Sequence, residues 1–340
     1  MVLDLYDYTL DKARLVRYFP IVEQTVEFFR QHYDQQLDPI KIFPTQALET
    51  YWCGWSKDVS WSPPDHLNCM SDDMPTVATL FVLMSRVLRL LGEPGPGMTR
   101  TLLPGGAAEL AQWKAFQAAV PDPGALRVWE NGTENLAPFA EYAEGNPLLN
   151  VLHNSESPEL YSVHPSRLYS LGREMFPIDG AALPADEDLL APARFCLVNS
   201  TRQTCRYGAG NNGWNQGIMN AALLGDTALA SAMLIGRAET PSAIGYRFPA
   251  FGPHEQDYEP AADHFANMNM GLQWMLLQPA DDADRSALLF GAWPCEWDVD
   301  FKLAAPGNTT VEATLAGGKV TRLVVTPPAR ARHIHVVNCA

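Results

Sequence analysis

Carboxylates and imidazoles gather in loops just ahead of helical segments. Glu49 stands in "PTQALETYWCGWS" beside Tyr51, Trp52 and Trp55, and Asp263 and His264 stand at the front of "PAADHFANMNMGLQWMLLQP". Between them come His164 in "VHPSRLY" and the run Asn211, Asn212, Trp214 and Asn215 in "GNNGWNQG"; His254, Glu255 and Asp257 precede Asp263. Carboxylates beside aromatic rings and amides suit carbohydrate, because rings pack on sugar faces while amides and acids hydrogen-bond hydroxyls.

Glycosidic hydrolysis needs two carboxyl groups in different environments, one protonated as acid and one ionised as base. Glu49 among aromatic rings fits the acid, since apolar neighbours disfavour its anion. Asp263, beside His264 at a helix N-terminus, fits the base, held ionised by the helix dipole and any imidazolium. On spacing alone Asp263 serves equally well as a helix N-cap. From composition alone the solvated loop acid is the preferred reading of Glu49 and the hydrogen-bonded core histidine that of His164, and the Asn pair before Gly213 reads also as a turn. The mixed types and irregular spacing of His254, Glu255, Asp257 and His264 point to no metal site. No phosphate-binding, dinucleotide, zinc-protease or serine-hydrolase fingerprint occurs, so no cofactor is expected.

The elements that must position these residues are mainly helices. Residues 3–34 hold two amphipathic segments, the second expected to open at Pro20, where Ile21, Val22, Val26, Phe28 and Phe29 recur at helical spacing. "DDMPTVATLFVLMSRVLRLLG" predicts a strong helix ending at Gly92, and "AAELAQWKAFQAAV" another. "NLAPFAEYAEGN" reads as a short helix or loop, and "PELYSVHPSRLYSLGRE" as a mixed segment ending in a helix. "GWNQGIMNAALLGDTALASAMLIG" predicts two helices joined at Gly225-Asp226, and a last helix follows Pro260. After residue 283 the pattern alternates apolar and polar residues between Pro-Gly-Asn and Gly-Gly turns, which predicts antiparallel strands. The expected division is residues 1–283, helical, and 284–340, a C-terminal β-domain.

Composition bounds the partners. The 340 residues are 47% hydrophobic and 19% charged, too apolar for disorder, and no uninterrupted apolar run suggests a membrane span. A net charge of -15 without a Lys/Arg stripe argues against nucleic acid and is compatible with a neutral ligand such as a sugar. Six scattered cysteines show no zinc-finger spacing; Cys53 to Cys69 and Cys196 to Cys205 could close disulfide loops or be buried thiols. The first residues lack a signal-peptide pattern. Three sequons, at Asn131, Asn199 and Asn308, fit secretion but also arise by chance, so the compartment stays open.

Taken together and in order, these segments resemble family 95 glycoside hydrolases, the α-L-fucosidase and α-L-galactosidase group of the six-hairpin (α/α)6 toroid superfamily. "LYDYTLDKARLVRYFPIVEQTVEFF" is similar to a helix pair of that family, and "PTQALET" stands at its "P-S-x-S-P-E-N", which would put Glu49 on the general acid. "VHPSRLYSL" resembles "H-x-S-H-L-Y-x-L", and "GWNQGIMNAALLGD" resembles "G-W-S-x-A-W … A-R-L-G-D". Counting back from "MLLQ" puts Asp263 on the general-base aspartate. The resemblance spans nearly the whole chain. It implies an incomplete (α/α)6 toroid followed by a small antiparallel β-domain, inverting hydrolysis of an α-linked sugar such as an α-L-fucoside or α-L-galactoside, and Trp52, His164, Trp214, Asn215 and His264 around the sugar. The chain departs from the family by lacking its N-terminal β-sandwich and upstream helices, by His264 after Asp263 where the family has Gly, and by the Pro and Asn missing around Glu49. It therefore reads as the C-terminal part of a larger, extracellular parent glycosidase, whose missing N-terminal part would be a partner. A non-catalytic carbohydrate-binding remnant and a helical interaction protein are the competing expectations.

Overall fold

The first helix, α1 (Val2–Thr9), turns into α2 (Lys12–His32) at Leu10, whose φ of 54° closes α1. Asp11 starts α2 by accepting the Arg14 N–H at 3.0 Å. Pro20 lies inside this helix and does not open it. The aspartate cap satisfies an amide at the true start, and the single hydrogen bond lost to proline does not stop the helix. Leu15, Phe19, Val22 and Val26 form the buried stripe.

The computed structural model describes residues 1–33, 39–51, 69–92, 101–142, 154, 156–175, 188–207, 215–239, 262–280 and 283–339. They are mainly helical, with small β-sheets concentrated toward the C-terminus, and divide into two compact units, Met1–Leu168 and Tyr169–Ala340.

In the first unit, β1 (Met70–Ser71) leads into α3 (Met74–Gly92), and α4 (Gly106–Ala119) packs on α3. Asp73 caps α3 through the Thr76 N–H at 3.0 Å. By length and composition alone α3 is long and apolar enough to cross a membrane, although Ser85, Arg86 and Arg89 interrupt its apolar run. Here it is a core helix, with Val77, Ala78, Met84 and Val87 fully buried. Trp113 of α4 stacks on Phe19 at 6.3 Å and donates its indole N–H to Glu27 at 3.1 Å, joining α4 to α2. Burying side chains of this size stabilises by about 1.5–3 kcal/mol each.

After α4, where "NLAPFAEYAEGN" reads as a short helix or loop, the structure has strands. β2 (Arg127–Glu130) and β3 (Thr133–Leu136) form an antiparallel hairpin, and β4 (Glu141–Tyr142) pairs with β1. The hairpin turns at Asn131-Gly132, with φ of 52° and 81°. That dipeptide favours positive φ at both positions, which matches the twist of the flanking strands and overrides the weak helical signal of "NLAPFAEYAEGN".

The second unit begins with α5 (Leu171–Met175); α6 (Ala191–Val198) and α7 (Gln203–Tyr207) are stapled by a Cys196–Cys205 disulfide. α8 (Gly217–Leu223) and α9 (Thr227–Glu239) turn at Gly225, φ 75°, and α10 (Ala262–Leu276) packs on both. A Cβ on Gly271 would lie 2.4 Å from Ile218 Cγ2, so glycine is what lets α10 approach α8 this closely.

Helix gives way to strand slightly before residue 283. β5 (Leu277–Pro279) follows α10 directly and pairs with β6 (Ala287–Leu289), to which β10 (Ile334–Val336) adds in parallel. β7 (Val299–Ala305), β8 (Thr309–Ala316) and β9 (Lys319–Thr326) form an antiparallel meander, turning at the Pro-Gly-Asn and Gly-Gly sites. Val311, Ala313 and Leu315 face the core. Cys295–Cys339 ties the end of the chain to this unit.

Candidate functional site

Glu49 is presented by a tight turn. The Tyr51 N–H bonds the Ala47 carbonyl at 3.2 Å, Leu48 takes a φ of 58°, and Ala47 and Thr50 are buried, so the exposed residue at the tip is Glu49. Its Oε2 accepts the Asn154 amide at 2.9 Å. Thr50 Oγ1 donates to the Glu156 carbonyl at 3.2 Å, and the Tyr161 hydroxyl donates to Glu156 Oε1 at 3.2 Å. Tyr51 meets Phe139 edge-on at 5.3 Å. The first unit thus brings two carboxyl groups, an amide and the Tyr161 phenol together.

Sequence reasoning missed Glu156, Asn154 and Tyr161. Burial, and then the charge of Glu49, push the Glu156 carboxyl up, against the lowering effect of the Tyr161 hydrogen bond. Glu156 therefore keeps its proton to higher pH than an ordinary glutamate. The run "NSESPEL" carried no signal beyond a polar loop, because the partner that matters is 105 positions away at Glu49.

His164 belongs to the same unit but to another environment. Its backbone N–H bonds Leu160 at 3.0 Å, its residue is half-buried, and burial followed by the charge of Arg167 lowers its pKa to about 4. A neutral imidazole at ordinary pH fits the core-histidine reading. Arg167 donates to Asp4 at 2.8 Å, and Arg86 bridges Asp4 and Asp7 at 2.9 Å each, tying α1 to α3. Burial acts to raise the Asp4 pKa, but Arg167 and Arg86 outweigh it and hold the carboxyl well below the usual range. Asp73, accepting from Thr45 at 2.5 Å, is pushed up by burial. Its cap on α3 gives it a structural task.

Asp263 and His264 occupy the first turn of α10, in the second unit. Trp52 and Trp214 lie outside the described residues, as do the side chains of Asp263 and His264. Asn215 is only 4% exposed; its Oδ1 accepts the Gly217 N–H at 2.7 Å and its carbonyl accepts Arg237 Nη2 at 3.1 Å. These bonds shape the start of α8. Burial lowers the Arg237 pKa to about 10, leaving it a cation in the core of this unit. Among the described residues no three His, Cys, Asp or Glu side chains group as metal ligands.

No known family model matches this chain. A search of curated proteins likewise returns no significant match.

Proposed function

We propose that this chain is a carbohydrate-active protein, an inverting glycoside hydrolase of the six-hairpin type acting on an α-linked sugar, with Glu49 as proton donor and Asp263 as the base that activates water. The observation that supports the reading is the Glu49–Glu156 pair. Hydrolysis requires one carboxyl that retains its proton and another that gives or holds charge, and two carboxyls of unequal environment stand beside an amide and a phenol that could bond hydroxyls. Within the pair, Glu156 is the group poised to hold a proton, so it stands as an alternative donor to Glu49. The toroid and the α-L-fucoside or α-L-galactoside substrate rest on the family resemblance.

One feature favours a second reading, a protein that binds sugar without cleaving it. Glu49 is exposed and already accepts the Asn154 amide, an arrangement suited to holding a hydroxyl. The two readings separate in one experiment, the full chain incubated with nitrophenyl glycosides and with free fucose and galactose. Product release that Glu49→Gln and Asp263→Asn abolish supports hydrolysis. Saturable sugar binding without product supports the binding protein.

A further inference from the structure

We infer that Asn131, Asn199 and Asn308 are acceptor sites for N-linked oligosaccharide, and that the chain folds in a compartment where this modification occurs. Each asparagine begins an Asn-x-Ser/Thr triplet: Asn131-Gly-Thr, Asn199-Ser-Thr and Asn308-Thr-Thr. All three asparagines are exposed, the condition for a transferase to reach their side chains. Asn131 is at the tip of the β2–β3 hairpin, Asn308 at the tip of the β7–β8 hairpin, and Asn199 at the end of α6. Among the described residues none of the three side-chain amides is held by a hydrogen bond, so a sugar on Nδ2 would displace no interaction.

The cysteines give an independent argument. All five described cysteines, Cys69, Cys196, Cys205, Cys295 and Cys339, are disulfide-bonded. Disulfides persist in oxidising compartments such as the lumen of the secretory pathway, which is also where Asn-x-Ser/Thr triplets are glycosylated. The two features answer to the same environment and neither depends on the glycosidase reading.

The transfer consumes a lipid-diphosphate-linked oligosaccharide. The asparagine Nδ2 forms a bond to the sugar C1, the C1–O bond to the diphosphate breaks, and the amide proton leaves as the lipid diphosphate departs. The order of events follows from the fold. The Asn199 N–H bonds Phe195 at 2.9 Å, and its triplet lies within the Cys196–Cys205 loop, so folding fixes that backbone. Transfer to Asn199 is therefore easier before the disulfide closes and fixes this backbone, whereas the hairpin tips stay presented.

The test is mass spectrometry of the full chain expressed behind a secretion signal in eukaryotic cells. Secreted and retained protein are pooled, before and after peptide-N-glycosidase digestion. The expected result is three glycan mass steps that digestion removes, with aspartate left at positions 131, 199 and 308. Thr133→Ala, Thr201→Ala and Thr310→Ala should each delete one step. These variants keep the asparagines that occupy positive φ in the two hairpin turns. Thr133→Ser, Thr201→Ser and Thr310→Ser should restore the steps, which separates loss of the acceptor triplet from misfolding. The Cys196→Ser/Cys205→Ser double variant should raise occupancy at Asn199 alone. Unmodified asparagines in the pooled chain, insensitive to digestion, would overturn the inference.

Discussion

At the scale of single residues, the charged groups of the first unit divide by the direction in which burial and neighbours move them. Asp4 is held low by its arginines and His164 is lowered to about 4 from an ordinary 6.5. For both groups the unfolded chain binds the extra proton, so the stability they contribute is present above their unfolded pKa values and lost as pH falls. His164 contributes the loss between about pH 6.5 and 4, up to roughly 3 kcal/mol; Asp4 contributes below that. We predict that urea unfolding shows declining stability across this window, that His164→Gln flattens its upper part, and that Asp4→Asn flattens the acid end. A decline unchanged by both variants would show that other groups carry it. Glu156 and Asp73 have the opposite sign: their raised carboxyls favour folding when protonated, and this contribution fades as pH rises through the folded pKa. Glu49 stands out in the sequence for its aromatic neighbours, of which Tyr51 is the one among the described residues. Its partner Glu156 does not stand out, since the pairing exists only after two loops meet.

At the scale of elements, helix existence was legible and helix punctuation less so. α3, α4, the α8–α9 pair and α10 fall where the apolar period and the glycine stops put them. Proline misled at residue 20. An interior proline costs a helix up to about 3 kcal/mol, and Pro20 is exposed. We therefore expect Pro20→Ala to raise the melting temperature, and an unchanged value would show that tertiary packing already offsets the missing N–H. The β2–β3 hairpin is readable in Asn131-Gly132, a dipeptide that serves both as the start of a sequon and as a turn former. Close approach is invisible in sequence: nothing in "NMNMGLQW" announces that Gly271 meets Ile218. Gly271→Ala should destabilise by about 1–3 kcal/mol in chemical denaturation, because a methyl there must push α8 and α10 apart. A neutral result would mean the helices can shift freely.

At the scale of the whole molecule, the mainly helical chain with a small β-rich end follows the expected composition change, and the disulfides answer a question the spacing left open. Closing the 9-residue and 44-residue separations stabilises by about 2.5 and about 4 kcal/mol on a chain-entropy basis. Cys295→Ser with Cys339→Ser should therefore cost more than Cys196→Ser with Cys205→Ser, a ranking that denaturation of the two double variants checks. A reversed ranking would place their main contribution in the folded state. The central claim is that this fold serves carbohydrate chemistry. Its most direct test is the initial rate of the full chain on nitrophenyl α-L-fucoside and α-L-galactoside, beside Glu49→Gln and Asp263→Asn. The full chain should show a measurable rate that each substitution lowers by about 10²–10⁴-fold, the range typical of a lost general acid or base. Equal rates for all three proteins would contradict it.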